Sequence, residues 1–199
     1  MGSYTVLARA VCQAGTVSYE PVPATFGRLQ DNLGLNDALD GRSRLVQAAV
    51  GSAPGTLRMS VEQDAMNHVV PADAPAAVEV PVVTLDDDLF ATPLLLKVDV
   101  EGFETEVFRG ARRHLANPAL RAVIVELNGL GRRYGYDDEA VHAALVAAGF
   151  APYAYDPFTR RLRPLPAPGP HNTIYCRDLP FIEARLVAAP AVTLLGQSF

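Results

Sequence analysis

The sequence predicts a mostly parallel, doubly wound α/β sheet with an antiparallel edge. Short apolar runs, each followed by a segment with helical spacing, alternate through the first 150 of the 199 residues. Closely spaced strand patterns follow in the C-terminal part. Because ligands of such sheets bind beyond the carboxyl ends of the strands, the residues that follow each strand are the candidates for function.

A short strand followed by a helix opens the pattern. Residues 16–19 form a strand-like run that ends before Glu20. The apolar side chains of the next segment recur at helical spacing and share one face, namely Phe26, Leu29 and Leu33. Gly34 is a suitable end for this helix. Further strands are predicted at residues 44–50, 56–60 and 78–83.

Residues 94–100 give the strongest strand signal, because this run is continuous and largely apolar, as in a strand buried on both faces. Gly102 follows, and then a single helix is predicted from apolar residues at four-residue spacing, namely Phe103, Val107, Ala111 and Leu115. The next strand, residues 122–125, ends at Glu126 and leads to a helix over residues 138–148.

The C-terminal part predicts a hairpin-type pair of strands at residues 153–155 and 173–176, with a Pro-rich loop at 165–170 between them. An acidic run lies farther upstream, directly after Leu85, and consists of Asp86, Asp87 and Asp88. Acidic side chains favour the first turn of a helix, so we interpret this run as a helix cap rather than a metal site.

Composition excludes several classes of function. The formal net charge of -5 argues against nucleic acid or an anionic membrane as the main partner. No stretch reaches the roughly 18 apolar residues of a membrane span, and no secretory signal pattern is present. Cys12 and Cys176 are far apart and the histidines lack metal-ligand spacing, so no disulfide or metal is expected. We therefore expect one cytoplasmic domain over residues 1–199.

The single lysine of the chain lies in the strongest strand. Of the 17 basic residues, 16 are arginine and only Lys97 is lysine. Lys97, Asp99 and Glu101 alternate with apolar residues, so the period of two places the three charges on one strand face. A lysine in an apolar strand needs a partner, which is Asp99 or Glu101. Two interpretations stay open, a structural ion pair and a functional polar cluster at the mouth of the sheet.

Other strand ends carry single polar residues. Glu20 stands where nucleotide-binding folds hold the two ribose hydroxyls, since a carboxylate can accept both protons. An exposed, merely solvated glutamate is the alternative. His68 lies in a polar insertion, and Glu126 and Asn128 end the next strand and are candidates for the same crevice.

Several of these segments together resemble the FkbM-type family of S-adenosylmethionine-dependent methyltransferases. The resemblance is carried by VPVVTLDDDL, LLLKVDVEGFETEVFRGA and VIVELN, in that order, and K-V-D-V-E-G is its most specific part. YEPVPATFGRLQDNLGLN and VQAAVGSAPGTLRM resemble the second and third strand units of the family. The match extends from Gly2 to about Asn128, and the C-terminal third is generic.

The resemblance implies a Rossmann-like class I methyltransferase sheet that binds S-adenosyl-L-methionine at its carboxyl edge. Glu20 would hold the ribose, Gln47 and Ala48 would lie near the adenine, and Asp99 would face the methionine end. The reaction implied is O-methylation of a hydroxyl on a small molecule or sugar. The acceptor hydroxyl must lose a proton, and the candidate catalytic residues that the resemblance and the charges indicate are Asp99, Glu101, His68 and Lys97.

The sequence departs from the family at one motif. Family members have a glycine-rich D-x-G-A-N-x-G loop after the first strand, which holds the amino-acid part of the cofactor. Here Gly2 and Ser3 resemble only the tail of that loop. We therefore expect an N-terminally truncated domain without its first, central strand, through either a misassigned start codon or a gene fragment. An intact mass of the native protein tests this expectation.

Two other functions compete with the methyltransferase. One is a non-catalytic remnant or interaction module that keeps the fold without cofactor binding. The other is a nicotinamide-dependent dehydrogenase, in which Glu20 would also suit the ribose, but the required G-x-G-x-x-G is missing before it. The identity of the acceptor and the oligomeric state are not specified by the sequence.

Overall fold

A computed structural model of the chain describes residues 1–169, 171–194 and 196–198, with the side chains of Ala65, Leu194 and Ser198 excepted. The chain is a mixed α/β protein that divides into two compact units, an N-terminal unit (Met1–Thr84) and a C-terminal unit (Leu85–Phe199). Each unit is described separately below. Within the described residues, no helix is both long and apolar enough to cross a membrane.

The N-terminal unit holds a parallel strand pair covered by a helix. Its elements are α1 (Ser3–Val6), a π-helical segment (Leu7–Val11), β1 (Thr16–Tyr19), α2 (Pro23–Leu35) and β2 (Ser43–Val46). Strands β1 and β2 pair in parallel. Helix α2 begins at Pro23, which suits a first helical position because that residue needs no N–H partner. Leu29 and Leu33 are buried with Ala38, against Met1, Val6 and Leu45.

A second small sheet completes this unit. Its elements are β3 (Ala49–Val50), β4 (Gly55–Ser60), a 3-10 turn (Asp64–Met66) and β5 (Ala77–Val83), in the order β3-β5-β4. The predicted strand over residues 44–50 is wrong as a single element, because it breaks after Val46. Its first half pairs with β1, whereas Ala49 pairs with Val82 and packs in a different apolar cluster.

The C-terminal unit is built on five strands. Its elements are α3 (Leu85–Asp88), β6 (Leu95–Val98), α4 (Glu104–Arg109), α5 (Arg112–Ala116), β7 (Ala122–Glu126), a 3-10 segment (Leu130–Tyr134), α6 (Asp138–Ala147), β8 (Ala151–Asp156), β9 (Arg161–Pro164), β10 (Asn172–Cys176), α7 (Leu179–Ala188), β11 (Thr193–Leu194) and β12 (Gln197–Ser198). The sheet order is β6-β7-β10-β8-β9. The core includes Val123, Val125 and Tyr175, none of which is accessible to solvent.

The predicted α/β class is confirmed, but the strands are less parallel than predicted and form separate sheets. The parallel pairs are β1 with β2, β3 with β5, and β6 with β7, and the other pairs in the described chain are antiparallel. Strands β1 and β6 belong to separate sheets. The absence of a central first strand stays a prediction that follows from the family resemblance.

The single helix predicted through Phe103 and Leu115 is two helices, and Asp86 explains the break. The Asp86 N–H donates to the carbonyl of Gly110 at 2.8 Å, between α4 and α5. Its carboxylate accepts hydrogen bonds from the N–H groups of Arg113 (3.0 Å) and His114 (3.3 Å). The capping interpretation of the acidic run is thus confirmed for Asp86, but the helix that it caps is α5 rather than its own.

The strands of the C-terminal unit agree with the predictions only in part. Strand β6 ends at Val98, and Leu94 and Leu95 are about half exposed (47% and 48%), so this strand is not buried on both faces. The C-terminal strand pair is confirmed, with Ile174 opposite Tyr153. Strand β9 was not predicted, because its sequence RLRP is polar and stands at the edge of the sheet, where half of a strand faces water.

Candidate functional site

In the N-terminal unit, Glu20 and Gln47 lie side by side where two parallel strands end. The register pairs Tyr19 with Val46, and the N–H of Glu20 donates to the carbonyl of Val46 at 3.1 Å. Gln47 is exposed and the adjacent Ala48 is buried. The parallel register therefore brings together two of the residues that the sequence assigned to the cofactor.

One oxygen of the Glu20 carboxylate is held by the protein. Oε1 accepts hydrogen bonds from the Thr25 hydroxyl at 2.6 Å and from the Val22 N–H at 3.2 Å. Within the described residues, no hydrogen bond reaches Oε2. A carboxylate with one oxygen anchored and the other open is suited to accept a hydroxyl proton. This donor and acceptor chemistry fits the ribose of a nucleoside cofactor.

A shallow cleft of about 270 Å³ begins at Thr25, next to the Glu20 carboxylate. Its lining residues come from the start of α2 and from the turn after β4, namely Ala24, Thr25, Arg28, Val61, Glu62, Asp64 and Asn67. An exposed Arg28–Asp64 ion pair lies among them. The Asn67 side-chain nitrogen is buried and has no hydrogen-bond partner. The sequence did not indicate this cleft, because its two lining segments, residues 24–28 and 61–67, are more than 30 positions apart in the chain.

Gly2 and Ser3 lie at the start of α1. Gly2 has a φ of 78° and precedes the first helical turn. A Cβ atom at this position would lie 2.3 Å from Cδ1 of Leu29 in α2. The positive φ therefore favours glycine here, and a Cβ atom would also require the Leu29 side chain to shift. Ser3 is exposed in the first turn, and contact of either residue with a cofactor stays a prediction.

His68 is also in the N-terminal unit, where it lies beside Ser60, the last residue of β4. Its backbone exchanges hydrogen bonds with Ser60, from the Ser60 N–H to the His68 carbonyl (2.9 Å) and from the His68 N–H to the Ser60 hydroxyl (3.0 Å). The ring Nδ1 lies 3.1 Å from the Met66 carbonyl oxygen. This carbonyl is an acceptor, so it favours a proton on Nδ1 and a free lone pair on Nε2.

In the C-terminal unit, Lys97 and Asp99 form an ion pair at the end of β6. Lys97 Nζ lies 2.9 Å from Asp99 Oδ2. The lysine side chain is 13% exposed and the aspartate side chain is 43% exposed, so one partner is largely buried and the other faces solvent. Asp99 is therefore one partner of the single lysine. Glu101 has a positive φ of 54°, so the strand alternation that predicted a shared face ends before this residue.

Two loops meet tightly behind these charges. Gly102 has a φ of 100°, and a Cβ atom on it would lie 2.6 Å from the carbonyl carbon of Leu130. Only glycine permits that approach. Glu104 is 6% exposed, and its Oε1 accepts hydrogen bonds from the N–H groups of Gly102 (3.2 Å) and Val100 (3.4 Å). Burial raises the pKa of Glu104, and the charge of Asp138 acts in the same direction.

The loop after β7 is held in a similar way. Asn128 Oδ1 accepts a hydrogen bond from the Leu130 N–H at 3.1 Å, and Asp138 Oδ2 accepts one from the Gly129 N–H at 2.7 Å. Glu126 is the last residue of β7, opposite Asn172 of β10. The sequence analysis did not identify Glu104 or Asp138 as residues that hold these loops.

Aromatic rings join the same two loops. The Phe103 ring lies edge-on to Tyr134 with centroids 5.5 Å apart, and Tyr136 lies 6.4 Å from Phe103. The Tyr136 hydroxyl donates to Glu106 Oε1 at 2.9 Å, and Arg109 lies over the Tyr136 ring at 5.4 Å. Burial, followed by the hydrogen bond to Glu106, raises the pKa of Tyr136.

Metal and thiol chemistry receive no support from the described part of the chain. It holds no cluster of three or more histidine, cysteine or acidic side chains arranged for a metal. Cys12 is exposed and Cys176 is buried. Burial raises the pKa of the Cys176 thiol to about 11, which makes it unreactive at neutral pH.

Acidic side chains thus follow parallel strands in both units, at Glu20 after β1 and at Asp99 after β6. This placement is typical of α/β proteins that bind ligands at the carboxyl ends of their strands. Residues 2–152 match the family model described as the methyltransferase FkbM domain. The chain belongs to this family, which confirms the resemblance seen in K-V-D-V-E-G.

A solved structure has a similar fold. The crystal structure of methyltransferase FkbM from Methylobacillus flagellatus KT matches 81% of this chain with a TM-score of 0.53 and 17% sequence identity. This chain spans 36% of the length of that protein, so the likeness shows the fold alone. Among curated proteins, none matches the sequence significantly.

Proposed function

We propose that this chain is an S-adenosylmethionine-dependent methyltransferase domain that methylates a hydroxyl oxygen on a small molecule or sugar. The observation that carries the proposal is the half-anchored Glu20 carboxylate beside Gln47, in a chain whose residues 2–152 match the FkbM domain. When bound, the cofactor supplies an electrophilic methyl group on a sulfonium. The partner proposed is a small-molecule acceptor, with no nucleic acid or membrane involved and with a cytoplasmic location.

Glu20 would hold the ribose. Thr25 and the Val22 N–H fix Oε1, so the carboxylate plane is set before binding and Oε2 is left to accept a hydroxyl proton. Preorganisation of this kind reduces the entropy lost on binding. Gln47 and Ala48 would lie against the base, one exposed amide beside one buried methyl group.

Asp99 would face the acceptor, with Lys97 holding it in place. The ion pair limits the rotation of the Asp99 side chain, so Lys97 would serve to orient the carboxylate toward the acceptor. Glu101 and His68 are the other candidates for the group that takes the acceptor proton. Whichever of these groups takes the proton, holding the acceptor oxygen and the methyl donor in line would supply much of the rate enhancement.

Calorimetric titration with S-adenosylhomocysteine tests the proposal. Replacing Glu20 with Gln removes a charged hydrogen bond to the ribose, which is worth about 1.5–3 kcal/mol. The expected loss of affinity is about 10- to 150-fold. The matched control is Glu183→Gln, an exposed glutamate on α7. Equal affinities of Glu20→Gln and the control would contradict the assignment of Glu20.

A non-catalytic module of the same fold is the second candidate. The observation in its favour is at Gly2, whose positive φ already accounts for the glycine without a cofactor. Folded protein that gives no heat with S-adenosylhomocysteine at millimolar concentration would favour this module over the methyltransferase. Far-UV circular dichroism on the same sample establishes that the protein is folded.

A further inference from the structure

We infer that Glu104 is a positioning residue for the loop that follows β6, and that through this loop it sets the orientation of Asp99 and Glu101. The inference rests on the proposed function, because it is this function that gives the two carboxylates a role. Glu104 acts on them through the backbone, because it accepts hydrogen bonds from the N–H groups of Val100 and Gly102.

The hydrogen bonds of the Glu104 side chain reach the residues that precede it in the chain. Glu104 begins α4, but its side chain turns back to the residues before the helix. One oxygen, Oε1, accepts the N–H groups of Val100 and Gly102. Val100 and Gly102 flank Glu101, and Val100 directly follows Asp99. A single buried carboxylate therefore fixes the backbone on both sides of one candidate catalytic residue and next to the other.

The backbone of Glu101 and Gly102 has an unfavourable conformation that must be held by its surroundings. Glu101 has a φ of 54° and Gly102 a φ of 100°, so two consecutive residues are left-handed. A non-glycine residue in this region is disfavoured by about 1 kcal/mol or more and persists only where its surroundings impose it. The two hydrogen bonds to Glu104 supply that constraint. The contact of Gly102 with the Leu130 backbone closes the other side.

The Glu104 side chain is buried although it is polar. It is 6% exposed, and the negative charge of Asp138 acts on it. Burying a polar group costs free energy unless the group is hydrogen-bonded. Here Oε1 serves as acceptor for the Val100 and Gly102 amides, which an apolar residue could not do.

Hydrogen exchange at single amides tests the inference directly. In Glu104→Ala, the N–H groups of Val100 and Gly102 are expected to exchange at least tenfold faster, as measured by NMR. Glu104→Gln keeps an acceptor oxygen and is expected to restore most of the protection. Val123 has a buried amide in β7 and reports global opening in the same sample. Glu106→Ala is the matched control, because its carboxylate contacts Arg109 and Tyr136 instead.

The second readout is the affinity for S-adenosylhomocysteine. We expect Glu104→Ala to lose at least tenfold and Glu104→Gln to stay within about threefold of the parent chain. Unchanged exchange at Val100 and Gly102, or an increase no larger than at Val123, would overturn the inference. If the parent chain itself binds no S-adenosylhomocysteine, the proposed function fails, and the exchange rates alone then decide whether Glu104 positions the loop.

Discussion

Arg177 holds together three segments of the C-terminal unit, and replacing it is expected to be severely destabilising. It follows β10, and its guanidinium donates to four carbonyl groups. These belong to Leu120 (2.5 Å), Leu115 (2.9 Å), Ala148 (3.1 Å) and Asn117. Leu115 and Asn117 end α5, and Ala148 ends α6, so the cation also lies at the negative ends of two helices.

The size of the effect follows from which carbonyls water can reach. Leu115 and Leu120 are buried, and each carbonyl left without a donor costs about 1–3 kcal/mol. Asn117 is exposed and Ala148 is half-buried, so water replaces part of what they lose. The loss expected for Arg177→Met is therefore about 3–5 kcal/mol. Methionine keeps the apolar contact with Phe150, over whose ring the guanidinium lies at 4.3 Å.

Urea unfolding followed by far-UV circular dichroism measures this loss. Arg185→Met on α7 is the control, since Arg185 is exposed and lies only over the Phe181 ring, so a loss below about 1 kcal/mol is expected there. Arg177→Lys keeps the charge but presents one ammonium instead of a planar fork, and should lose about half as much as Arg177→Met. An Arg177→Met protein within 1 kcal/mol of the parent would refute the reasoning.

Three further predictions concern other parts of the chain. Gly2→Ala places a Cβ atom 2.3 Å from Leu29 Cδ1 in a left-handed conformation, so the free energy of unfolding should fall by about 1–3 kcal/mol in thermal or urea denaturation. Burial raises the pKa of Glu104 above its ordinary value of 4.5, so the native state binds the proton more tightly than the unfolded state. Its contribution to the free energy of unfolding should therefore decrease as pH rises from 4.5 through the folded pKa. Glu104→Gln should remove this pH dependence. An unchanged pH dependence in the variant would argue against the burial of Glu104. A thiol reagent at pH 7 should modify the exposed Cys12 within minutes and Cys176 only after denaturant is added, and equal rates for the two would contradict the burial of Cys176.

The local elements were predictable where a single physical rule controls them. Strand β1 and helix α2 follow from apolar periodicity, and α6 follows from an acidic start at Asp138. The helix through Val107 and Leu115 was wrong as one element, because Asp86 captures the carbonyl of Gly110 from outside the helix. Periodicity within a segment carries no information about a hydrogen bond from another segment.

For the candidate site, the sequence by itself determined which strand ends carry charged residues. It also indicated the family to which the chain belongs. Glu20, Lys97 and Asp99 were named from position and motif, and K-V-D-V-E-G was sufficient to indicate the FkbM family. Tertiary structure decided their partners. Lys97 pairs with Asp99, and Glu104 accepts hydrogen bonds from the backbone of the loop that follows Asp99. The physical reason is that charge and periodicity are properties of single segments, whereas burial and hydrogen-bond partners depend on how segments pack.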